Sequence, residues 1–179
     1  MDRCIRLGDG CEIADKQTET LLNAYTTSWY QRNGPFINLY SDGEGGLNNA
    51  NAKAELGRLG TELRVRAPGQ HANYIEARNA MMRHTMHLIE EDLKRYGITI
   101  SFARLFGEGN FVCNAFTFHN GVSPINCHAG RQPPFLPDLE NIDFPKDGTN
   151  TDGEREQRIR EAGIEAITQS TAQAKINRA

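Results

Sequence analysis

From Asn73 to Tyr96 the chain sets apolar side chains at helical spacing, with Ile75, Met82, Met86, Ile89, Leu93 and Tyr96 on one stripe. Glu76, Arg83, His87 and Glu90 fall on a neighbouring polar stripe by the same spacing. Ala67-Pro68-Gly69-Gln70-His71 reads as a loop before this helix, and Gly97 stops it. A long helix with one apolar side has to bury that side against a core. The 179 residues suit one domain with an appendage, and an apolar share of 38% supplies one modest core. No apolar run approaches the roughly 18 residues of a membrane span, and mean hydropathy is -0.60. No secretory leader pattern opens the sequence, so nucleus or cytoplasm is the expected setting. Cys4, Cys11, Cys113 and Cys127 do not make a disulfide scaffold in a chain this long, which points to a reducing compartment.

The formal net charge of -3 arises in one place. Residues 1–137 hold 14 basic and 14 acidic side chains, whereas 138–179 hold 6 and 9. No basic tail advertises nucleic acid, so a DNA-binding reading has to rest on local residues and metal ions. Asp2 to Ile13 reads as two short strands about a turn, and Asp15 as the N-cap of a helix over 16–31. Phe36 to Tyr40 is a strand that opens at Asp42 into a loop with Gly43, Gly45 and Gly46. A short helix over 50–59, closed by Gly60, precedes a strand over 61–65. Phe102 to Phe118 is a further helix candidate, weakened by Gly107 and Gly109. The spacing divides the chain into a core over 1–130, a Pro-rich acidic linker over 131–150 and a polar helical extension over 151–179.

Asp42 ends a strand beside glycines, and Glu76 opens the long helix. One helix and one strand lie between them, and such a path can return both carboxylates to the carboxyl edge of a sheet. Two carboxylates held there could share Mg²⁺ ions. Alternatives stand beside this reading. On the residues alone Asp42 suits a solvent-exposed turn acid better, and Glu76 suits a first-turn acid facing the helix dipole. Arg78 and Arg83 read as a solvated face or as phosphate contacts. His84 and His87, at i and i+3, could make a metal pair that Cys127 and His128 would complete, but no Cys-x-x-Cys or second paired ligand supports a zinc site. Cys4, Cys11 and Cys113 are expected to fill core space. The phenylalanines between 102 and 118 suit core or dimer contacts better than a base-stacking platform.

Three stretches resemble the catalytic core of long-terminal-repeat retrotransposon integrases. "FINLYSDGEGG" (36–46) is similar to the strand and loop with the second acid of that family. "YIEARNAMMR" (74–83) resembles the opening of the helix with the third acid, including Glu-x-x-Asn as Glu76 and Asn79. "AFTFHNGVSPINCHAGRQP" (115–133) is similar to the stretch that follows the core. The resemblance implies an α/β ribonuclease H-like mixed sheet flanked by helices, here lacking its first strand, with a helical C-terminal extension. It implies a Mg²⁺- or Mn²⁺-dependent polynucleotidyl transferase that processes and joins DNA ends, a form of DNA integration. Asp42 and Glu76 would be catalytic and metal-holding. Gln70 and His71 would lie in a loop at the DNA, and Asn79 and Arg83 would face DNA from the helix. Element ends and target DNA would be the partners, and the complete protein would act as a homo-oligomer. The first acid of the family has no counterpart, so a fragment with poor or absent activity is expected. A non-catalytic DNA- or partner-binding remnant and a nuclease on the same fold remain as alternatives.

Overall fold

The structure is a computed structural model that describes residues 2, 5–42, 46–66, 73–119, 121–131 and 151–176. It is an α/β protein, mostly helical, with a small two-stranded parallel sheet. Two compact units divide it: Asp9–Ala72 forms one, and Met1–Gly8 with Asn73–Ala179 the other.

The unit over 9–72 begins with α1 (Thr18–Tyr25), continues through a π-helical segment Thr26–Tyr30 and ends its first arm with α2 (Gln31–Asn33). The widening has a local cause. Thr26, Thr27 and Ser28 each donate a hydroxyl hydrogen bond to the carbonyl four residues back. Hydroxyls that occupy those carbonyls compete with the regular backbone ladder. The expected N-cap Asp15 is displaced: Gln17 stands at the cap, while Asp15 accepts from the Gln17 N–H at 2.9 Å. An aromatic cluster seals this arm. Trp29 stacks on Phe36 at 4.4 Å between centroids, and Tyr25 lies 5.9 Å from the same ring.

Strand β1 (Asn38–Ser41) pairs in parallel with β2 (Glu62–Val65), Ser41 opposite Val65. Helix α3 (Ala50–Arg58) makes the crossover between them. Asn49 caps α3 by accepting from the Ala52 N–H at 2.8 Å, and Ala52 and Leu56 are fully buried. Gly60, at φ +83°, ends it in a left-handed turn. The Thr61 N–H reaches back to the Leu56 carbonyl, the six-to-one bond of a Schellman end.

The other unit holds α4 (Asn73–Arg95), α5 (Phe102–Phe116), α6 (Pro124–Ala129) and α7 (Thr151–Ile176). Helices α4, α5 and α7 pack on one another around two apolar clusters. Ile89 and Leu93 meet Ile159, Ala162 and Ala166 in one, and Val112, Cys113 and Ile167 form the other. The helix expected as a polar extension thus supplies Ile159, Ala162, Ala166 and Ile167 to the core. Close approach explains two glycines. A Cβ at Gly109 would meet Met86 Cγ at 2.7 Å, and one at Gly163 would meet Val112 Cγ1 at 3.0 Å. Polar locks follow the same faces: Thr85 donates to Ser170 at 3.0 Å, and Arg158 pairs with Asp92.

Several expectations change. The described residues of 2–13 contain no strand, so the hairpin reading fails there. Tyr96 is 59% exposed because the helix has already ended; its N–H bonds the Leu93 carbonyl and its ring lies 4.0 Å from the Arg158 guanidinium. Cys11 is exposed, while Cys113 is buried as expected. The linker reading falls almost entirely outside the described residues, as does the loop over 43–45. No helix among the described residues is long and apolar enough to cross a membrane.

Candidate functional site

The carboxyl end of the parallel pair is built by its register. The Arg66 N–H donates to the Ser41 carbonyl at 2.8 Å, one step past the last paired residues. This bond fixes the backbone that leads directly into Asp42. Ser41 Oγ donates to the Asp42 carbonyl at 2.8 Å, and the Asp42 side chain is exposed. The carboxyl edge of parallel strands is where open α/β sheets present their chemistry.

On α4, Glu76, Asn79 and Arg83 follow one another at helical spacing, and all three are exposed. Glu76 lies in the first turn, where the helix dipole favours a carboxylate. The polar stripe continues through His87 and Glu90, also exposed, as the sequence indicates. His87 Nε2 lies 3.4 Å from Glu91 and Lys94 Nζ 3.1 Å from Glu90. These pairs are solvated and contribute little to stability. The structure therefore brings Glu76, Asn79 and Arg83 onto one face. Asp42 belongs to the unit over 9–72 and the other three to its counterpart. Gln70 and His71 lie outside the described residues. Among the described residues no three His, Cys, Asp or Glu side chains gather around a common point that could hold a metal ion.

Arg78 departs from the solvated-face reading. It is 8% exposed, turned inward between Glu76 and Asn79. Its Nη2 donates to Asn114 Oδ1 at 2.7 Å. The signal is present in the helical spacing: Arg78, Thr85, Ile89 and Leu93 lie at intervals of seven, four and four, and all are buried. The cationic charge of the side chain masks that periodicity. Burial also pulls the pKa of Arg78 below its ordinary value.

Set against protein-family models, curated proteins and solved structures, the chain matches none.

Proposed function

We propose that this chain is the catalytic core of a long-terminal-repeat retrotransposon integrase, a metal-dependent polynucleotidyl transferase on a ribonuclease H-like sheet. What carries the reading is where the two acids stand. Asp42 leaves the carboxyl end of a parallel strand whose crossover runs through a helix. Glu76 opens the exposed face of the helix that follows β2, with Asn79 and Arg83 behind it. The same order of strand, acid, helix, strand, helix and acid supports the resemblance of 36–46 and 74–83 to that family.

Carboxylate oxygens are the hard donors that Mg²⁺ and Mn²⁺ prefer. Both acids are exposed, which suits ions that keep much of their water. Asp42 and Glu76 would hold the metal, which when bound supplies charge stabilisation for attack on a phosphodiester. Asn79 and Arg83 would orient DNA from α4, with Gln70 and His71 in the preceding segment. Arg83 would supply a phosphate contact, which positions a duplex without reading its sequence.

Calorimetric titration with Mn²⁺ tests the reading. Heat of binding to the wild-type chain should vanish in the Asp42→Asn, Glu76→Gln double variant. Identical heats from both proteins would remove the two acids from any metal site. Cutting of DNA without joining of ends would assign the chain to nucleases instead.

A further inference from the structure

A cavity of about 660 Å³ opens in the unit that contains α4, between the first turns of α4, the segment after α5 and the last turns of α7. Its volume lies in the range of small-molecule sites. Arg6, Arg78, His119 and Lys175 line it together with the rings of Tyr74 and Phe116, and no acidic side chain among the described residues does.

Arg78 is the anchor. Nη2 donates to Asn114 Oδ1 at 2.7 Å and to Asn110 Oδ1 at 3.4 Å, both neutral amides. Asn114 is itself clamped: its Oδ1 accepts the Gly8 N–H at 3.0 Å and its Nδ2 donates to the Gly8 carbonyl at 2.8 Å. Gly8 is pressed against the guanidinium, since a Cβ there would lie 2.6 Å from Arg78 Nε. Among the described residues the partners of Arg78 are these amides, and no carboxylate forms an ion pair with it. A buried cation normally has a counter-charge, because desolvation without one is costly. Here the protein rigidly holds the cation at a cavity wall and leaves the counter-charge to be supplied.

The surroundings reinforce it. Arg6 adopts φ +63°, alone among the described non-glycine residues in the left-handed region, and its guanidinium lies 5.1 Å from the centre of the Tyr74 ring. Burial, then the fields of Arg6 and Arg78, hold the His119 imidazole below its usual pKa, as a positive potential requires. Guanidinium groups favour phosphates and carboxylates, and aromatic faces beside them favour flat rings.

We infer that this cavity binds a nucleoside 5′-phosphate, its phosphate on Arg78 and Arg6 and its base against Phe116 and Tyr74. The inference goes beyond the integrase reading and uses neither Asp42 nor Glu76.

Titration calorimetry of the full chain at low salt with AMP, adenosine and inorganic phosphate tests it. AMP should bind at least about tenfold more tightly than either part, the equivalent of one charge-assisted hydrogen bond. Arg78→Gln should abolish binding. Arg6→Gly keeps a residue suited to the left-handed backbone, so folding is preserved, and AMP should weaken about tenfold or more. The Asp42→Asn, Glu76→Gln double variant should bind AMP as wild type does, which separates this site from the metal reading. Absence of AMP binding, equal affinity for adenosine, or unchanged affinity in a folded Arg6→Gly protein would each overturn the assignment.

Discussion

Glu108 shows how strongly one buried side chain can set a pH response. Its carboxyl group is fully buried on α5, with Arg160 Nε 2.6 Å from one oxygen and Arg104 Nη2 3.7 Å from the other. Neither oxygen receives a well-aligned hydrogen bond. Burial pushes its pKa above the ordinary 4.5, and the two arginines offset this only in part. The folded state therefore holds this proton more tightly than the unfolded state does. The stability Glu108 contributes is fully present below pH 4.5 and is lost as pH rises through the higher folded value. Urea midpoints of wild type and Glu108→Gln, measured from pH 4 to 8, should separate progressively in favour of the variant. A constant difference between them would refute the assignment. Little of this could be read from the chain. Position 108 falls between Gly107 and Gly109 in a helix that those glycines weaken, and Arg160 arrives from a helix far along the sequence. Asp42, Asn79 and Arg83, by contrast, are exposed where spacing and turn chemistry put them.

Helix ends and helix interiors use glycine in opposite ways here. Gly97, at φ +67°, follows α4, and the Ile98 N–H bonds the Leu93 carbonyl at 3.0 Å across it. An alanine there has to enter the left-handed region, so Gly97→Ala should destabilise by about 1–2 kcal/mol. Gly107 lies inside α5, and a methyl group added there would meet nothing within 4 Å. Gly107→Ala should therefore stabilise by about 0.5–1 kcal/mol, since it restricts the unfolded chain and suits a helix. Thermal or urea unfolding of the two variants should move in opposite directions; movement in the same direction contradicts the account. Elements of this kind are legible because their signals are local. Gly60 and Gly97 mark boundaries with their own backbone. The π-helical turn is not legible, because three hydroxyls in succession act only once the helix has brought them over the carbonyls.

At the scale of the molecule, α7 is the element whose role the sequence understates. Its apolar residues are sparse, yet Ile159 and Ile167 are fully buried and Ala162 and Ala166 nearly so. Small residues let it approach α4 and α5 closely, and its polar residues pair across to both, as Arg158 does with Asp92 and Arg160 with Glu108. A hydropathy count sees the polar residues and misses the narrow stripe. A chain that stops before Thr151 should therefore lose the cooperative unfolding transition of the unit containing α4 and expose its apolar clusters to a dye such as ANS. A truncated protein that still melts cooperatively in that unit would show α7 to be dispensable. The division of the fold into Asp9–Ala72 and Met1–Gly8 with Asn73–Ala179 has no marker in the sequence pattern.

This arrangement has a consequence for biosynthesis. The ribosome adds about 5–20 residues per second, so α4 and α5 leave the exit tunnel on the order of seconds before α7 does. Throughout that interval Ile89, Leu93 and Val112 lack the partners that shield them in the finished protein. A nascent chain in that condition is a client for chaperones, and pausing between the codons for α5 and α7 would prolong the hazard.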